Sequence, residues 1–337
     1  MQADSAYSLI QRRNLLREEE NDKRINRFTS IEMKNKIWNS YDLLLSAWDF
    51  ELGSTYYALL NNQVKGIVKY IAENGATTNG IVPLINGYID RNTKKEWKEY
   101  LVDLYISQTI DFAYFQIDLL MPEEIKTTTD NYVFTPQEQE RLERARRRRP
   151  RTEVIQDGYY PLRKQGRSLP INQTKYNRSA KSFVENRLNQ SLSDMSNTMR
   201  KNVNTAIRKS YDEAIELGLT GKDFEKHMQK GISKSLGKKN LGRAMNIART
   251  EGTALSNWGM EESAKATGLI LKKEWITRRD GLVRDAHLYM DGIQIQQDNA
   301  FSVQGYDMLR PGDSSGGAPA GLVCNCRCTL VFHEEKI

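Results

Sequence analysis

The chain has 337 residues, 39% hydrophobic and 28% charged, with a mean hydropathy of −0.67. That length suffices for two domains with cores of their own. The sequence excludes a membrane-spanning helix, because the longest apolar stretches, such as 43–48, fall far short of the ~20 residues one requires. The net charge of +7 is zoned: residues 1–130 hold 15 Lys+Arg against 19 Asp+Glu, 131–240 hold 24 against 12, and 241–337 hold 11 against 12. A basic middle third between near-neutral ends points to a polyanion partner, nucleic acid first, with a solvated helical surface as the alternative. The N-terminus lacks a basic start followed by an apolar run, so no secretory signal is expected. Three Cys at alternate positions cannot build a disulfide framework, which predicts a reduced, cytosolic assembly environment.

The elements read as predominantly α-helical α+β. Ile37, Tyr41, Leu44, Leu45, Trp48 and Leu52 recur at spacings of three and four, as do Leu60, Val64, Ile67 and Ile71, so residues 1–121 form an N-terminal helical domain. The stretch 77–83, ending in Pro83, breaks the pattern. Thr93 and Glu96 then carry a capping-box signature ahead of the apolar stripe Trp97, Leu101, Leu104 and Ile110. Residues 122–180 hold Pro122, Pro136, Pro150, Pro161 and Pro170 among polar residues and read as a linker or surface arm. Over 181–244 a long helix carries the stripe Val184, Leu188, Leu192, Met195, Met199, Val203, Ile207, Tyr211 and Ala214, with Gly218 as its C-cap. A shorter helix from Thr220 to about Leu236 follows. The last region, 245–337, opens on a helix over 241–267 stopped by Gly268, then turns to short strands at 269–276, 292–296 and 324–332.

That last region carries the most specific pattern: Arg249, Glu251, Trp275, Arg284, His287, Asp291, Gly292, Phe301, Pro311, Gly312 and the run Asn325, Cys326, Arg327, Cys328. In this order and spacing it resembles the C-terminal domain of the Mu F-like minor head proteins of tailed bacteriophages, over about residues 245–332. The resemblance implies a structural component of the virion head rather than an enzyme. Such a protein would engage portal, capsid or scaffold proteins and packaged double-stranded DNA, and would be assembled in the host cytoplasm.

Read by themselves, these residues admit several chemistries. On a strand over 324–332, Cys324, Cys326 and Cys328 would share one face and Asn325 and Arg327 the other. With His287 in reach, they suit a Cys3His or Cys2His zinc site. Against this, Cys packs readily as a small hydrophobe, Cys-x-Cys is not a usual zinc-finger spacing, and Cys324 lies outside the family pattern. Arg249, Glu251, Arg284, Asp291 and Arg327 read best as a paired network fixing a small domain, because buried charges persist only when partnered. The enzyme alternative is a metal-dependent nuclease or transferase acting at packaging or genome entry, with Glu251, His287 and Asp291 around a divalent cation and Arg284 or Arg327 on a phosphate. Gly312, Ser314 and Gly316 satisfy Gly-x-Ser-x-Gly but lack the strand before and helix after that a nucleophile elbow needs. His227 reads as a surface residue.

Residues 141–151 contain Arg141, Arg144, Arg146, Arg147, Arg148, Arg149 and Arg151 without interleaved aromatics. This is a pattern for phosphate contact without base reading, and the rival is a docking tail onto an acidic protein surface.

Overall fold

A computed structural model describes residues 30–74, 78–120, 171–237 and 240–335. Helix α1, Ile31–Asn74, joins the first two apolar stripes into one rod, started by Ser30, whose Oγ accepts from the Met33 amide at 3.1 Å. Helix α2, Thr78–Arg91, runs through Pro83, so the expected break does not extend that far. A π-helical stretch, Asn92–Glu96, leads directly into α3, Trp97–Leu120. The capping box is therefore corrected. The backbone never leaves the helix there: the Trp97 amide reaches back to Asn92 O, no side-chain cap forms, and buried Thr93 instead accepts a hydrogen bond from Gln63 Nε2 at 2.8 Å. A continuous helix has no orphan amides for a capping box to satisfy.

Helix α4, Gln173–Glu216, begins inside the segment read as linker. The Asn172 side chain accepts from the Lys175 amide at 3.0 Å, and Tyr176 and Ala180 are already buried. It ends where Gly218, at φ +64°, bonds Ile215 O at 2.9 Å and Leu219 bonds Ala214 O at 3.0 Å, the paired bonds of a Schellman cap. Helix α5, Gly221–Gly237, folds back on α4 through Met228, Ile232 and Leu236.

Helix α6, Asn240–Ala266, lies against both α1 and α3 and is buried along most of its second half. Two glycines let α3 and α1 approach. A Cβ at Gly259 would sit 2.4 Å from Thr109 O, and one at Gly252 would meet Asp49 and Leu45. Gly259→Ala should therefore destabilise by about 1–3 kcal/mol despite a helix-propensity gain of about 0.5–1 kcal/mol, because backbone must move apart. The urea midpoint checks this, and an unchanged or raised midpoint would show that the crossing is not tight.

The described residues after α6 form small, mostly irregular structure: β1 (Leu271–Ile276), α7 (Asp285–Leu288), β2 (Gln294–Gln296), β3 (Phe301–Val303), β4 (Tyr306–Met308), α8 (Ala320–Val323) and β5 (Thr329–Glu334). β1 is the central strand of an antiparallel sheet in the order β2-β1-β5, with Trp275 opposite Leu330, and β3 pairs with β4 in a hairpin. The strand expected at 324–332 begins only at Thr329: α8 ends at Val323, Cys324 caps it, and Asn325 turns the chain at φ +58°. Alternation along one strand therefore does not describe the three Cys. One core gathers the first half of α1, the end of α3, part of α6 and the sheet; a second holds the rest of α1 with α2 to α5 and the start of α6. Among the described residues no helix is long and apolar enough to cross a membrane.

Candidate functional site

The run Asn325 to Cys328 lies in a seam lined by α6 and α1, and each of its residues is tethered. The Asn325 amide donates to Thr250 Oγ1 at 2.9 Å and its side chain accepts from Arg249 Nη1 at 3.0 Å. Cys326 O accepts from Thr253 Oγ1, Arg327 O from Trp38 Nε1 at 3.3 Å, and Cys328 O from Asn257 Nδ2 at 3.0 Å. Asn257 itself is held by Thr253 O and Tyr41. A segment without strand partners thus satisfies its backbone on helix side chains, as buried polar groups require.

Opposite it, α7 presents His287. Its Nδ1 lies 3.5 Å from both Cys326 Sγ and Cys328 Sγ, and ligand atoms of the three residues fall within 4.8 Å of one another. All three are at most 3% exposed. Trp275 packs edge-on against the imidazole at 5.4 Å and against Phe301 at 5.3 Å. The hydrogen bond from Cys328 holds Cys326 well below the ordinary thiol range against the cost of burial, with His287 helping, while the same bond and burial push Cys328 up. The far nitrogen, Nε2, is buried without a partner, a desolvation cost of about 1–3 kcal/mol. Cys324, grouped with these residues in the sequence reading, is exposed at the end of α8 and stands outside the cluster, because the turn at Asn325 points it away.

The other pattern residues each hold a local joint. Arg249 also reaches Asp49 of α1 at 3.3 Å, and burial pushes that carboxyl up to about 7 despite the guanidinium. Glu251 accepts two bonds from Arg187 of α4, at 2.9 and 3.2 Å. Asp291 accepts from the Thr277 amide at 2.7 Å and from Arg279 Nε at 2.7 Å, and Gly292, at φ +85°, follows it into β2. Arg284 donates to Cys324 O, and Arg327 pairs with Asp280 at 3.2 Å. Pro311 and Gly312 are buried, and Gly312 lies against α6, where a Cβ would sit 3.1 Å from the Ala254 backbone. Glu251, His287 and Asp291 are thus in separate contacts, and the described residues bring no such trio together as a cation site. Ser314, centre of the Gly-x-Ser-x-Gly match, lies in a turn and meets Arg187 Nη1 at 3.3 Å. His227 is half-buried, 3.6 Å from Glu213.

Sequence reading missed two buried ionic nodes flanking the sheet. Lys273 is fully buried; its Nζ reaches Glu261 at 2.8 Å and Leu309 O at 2.7 Å, while Arg310 bonds the other Glu261 oxygen. Burial opposes ionisation of Glu261, yet Arg310, Lys273 and Lys265 together hold its carboxyl below the usual range. On the opposite face Glu274 accepts from Lys34 at 2.5 Å, His333 Nε2 at 2.7 Å and Gln294 at 3.0 Å. The available signal was adjacent charge inside an apolar strand: Lys273 and Glu274 interrupt the run from Leu269 to Ile276. The arginines at 141, 144, 146, 147, 148, 149 and 151 lie outside the described residues.

Fold and site together define a helical protein whose C-terminal part is a small α+β unit fixed by buried polar contacts. Residues 205–331 match the family described as Phage Mu protein F like protein, so this part of the chain is similar to that family. The match starts within α4, well upstream of residue 245, and takes in α5. The chain is also 32% identical over 99 residues to NAD(+)–arginine ADP-ribosyltransferase EFV of Enterococcus faecalis, a match covering 28% of this chain and 20% of that protein. This chain therefore spans about a fifth of that relative's length. No solved structure matches.

Proposed function

We propose that the protein is a minor head protein of a tailed bacteriophage. It acts structurally in head morphogenesis, contacting portal, capsid or scaffold proteins and packaged DNA inside the virion, after assembly in the host cytoplasm. The observation that carries this reading is the Mu F-like match over 205–331, whose characteristic polar residues are spent on internal joints. A catalytic reading needs at least some of those groups free to meet a substrate. Glu251 and Asp291, the carboxylates a nuclease reading would use, are each committed to an arginine. The transferase activity in the name of the Enterococcus faecalis protein belongs to a chain of which the match covers 20%, and it brings no assigned residue here. Mass spectrometry of purified particles, before and after DNA ejection, tests the proposal. Recovery of the chain in full heads supports it, and its absence from particles of the phage that encodes it overturns it.

The basic stretch serves as the DNA contact. Replacing Arg146, Arg147, Arg148 and Arg149 by Ala removes four phosphate-binding charges, so the slope of log affinity against log salt should flatten by roughly 3–4. Affinity should fall about equally for unrelated duplexes, since no base is read. Unchanged affinity and slope would assign the stretch to protein docking.

A further inference from the structure

We propose that His287, Cys326 and Cys328 form a buried binding site for a thiophilic metal ion, zinc or copper(I), that staples α7 to the segment entering β5. The placement of the donors is the first argument. Nδ1 lies 3.5 Å from each sulfur. Tetrahedral zinc bonded to sulfur at ~2.3 Å and to nitrogen at ~2.0–2.1 Å sets those atoms about 3.6 Å apart, so both nitrogen–sulfur edges are already in place, with the two sulfurs within 4.8 Å of each other.

Hydrogen bonding accounts for this arrangement incompletely. Nδ1 offers one lone pair or one proton and can satisfy one sulfur, yet both converge on it equally. A metal at the common point uses all three donors at once.

The two cysteine ligands are also held from outside. Thr253 and Asn257 of α6 fix the carbonyls of Cys326 and Cys328. Trp275 flanks the imidazole, and Arg284 ties the start of α7 to Cys324 O. The region joined has strands of three to six residues and helices of four, little regular backbone for a unit that must keep buried charges in register. Small units of this kind gain from a cross-link. Three protein donors suffice for copper(I), whereas zinc would complete its tetrahedron with a solvent or anion ligand.

The test uses the full-length chain, purified reduced and anaerobic, stripped of metal, then equilibrated with Zn2+ or with Cu+ and freed of unbound ion before elemental analysis. Cobalt(II) serves as the optical probe. All the cysteines of the chain are the three at 324, 326 and 328, so thiolate-to-cobalt absorption reports on this site alone. We expect one equivalent retained by the native chain and by Cys324→Ser, loss of retention in Cys326→Ser and Cys328→Ser, and a melting temperature of the native chain that climbs with the logarithm of free metal. Zinc retention with a tetrahedral cobalt spectrum identifies a zinc site; retention of copper alone identifies copper(I). The native chain needs no substitution to fold. Failure to retain either metal stoichiometrically overturns the proposal, as does full retention after replacing Cys326 or Cys328. Either outcome leaves the head-protein assignment untouched, because that is read from virion content.

Discussion

Glu261→Ala should lower the stability of the folded chain by about 3–5 kcal/mol, among the larger effects a single substitution here can have. The carboxylate is almost wholly out of solvent and is the shared acceptor for Lys273 and Arg310, with Lys265 at 3.6 Å. Its removal leaves a fully buried ammonium with only Leu309 O and an adjacent guanidinium of like charge. Replacing Lys273 and Glu261 together by Met and Leu should recover most of the loss, because a buried pair contributes little net stability compared with apolar packing. The pH dependence carries the same signature. The folded-state carboxyl of Glu261 is depressed, so its contribution is complete above the unfolded-state value of ~4.3 and disappears as pH falls through the lower folded value. The native chain should therefore lose stability between about pH 5 and 3, and the variant should show a shallower acid limb. Urea unfolding followed by tryptophan fluorescence at both pH values checks this. A loss under about 1 kcal/mol would mean the three cations are solvated rather than buried.

Trp275→Ala should cost about 3–5 kcal/mol, the range for emptying a large aromatic site in a core that cannot fully collapse. Trp275 is completely buried at the middle of the sheet, with Phe301 on one side and His287 on the other. The Cys/His cluster should open with it. In the metal-free native chain a thiol reagent should find one fast cysteine, Cys324, and two protected ones. In the variant Cys326 and Cys328 should react at rates approaching that of Cys324. Fast modification of all three in the native chain would contradict the burial of the cluster, and continued protection in the variant would show that Trp275 does not shield it.

Much of the helical framework was legible because a helix that packs on one side writes its face at a period of 3.6. Val184 to Ala214 named the buried side of α4, and Gly218 named its end. The errors arose where local chemistry competed with context. Thr93 and Glu96 look like a helix start in isolation, but burial of Thr93 against Gln63 keeps the helix running as a π segment. Cys324 to Cys328 look like a strand by alternation, but Asn325 turns the chain and the polar groups of α6 take the place of a neighbouring strand.

The sequence by itself determined most of the helices and the faces they bury, and the order of the characteristic polar residues in the C-terminal third, since periodicity and residue order are local properties. Tertiary structure alone decided the partners. Glu251 meets Arg187 sixty-four positions earlier, Arg249 meets Asp49 two hundred positions earlier, and His287 meets two cysteines but not the third. Charges and thiols act over a few ångströms of space, and separation along the chain carries no record of that distance until the helices have packed.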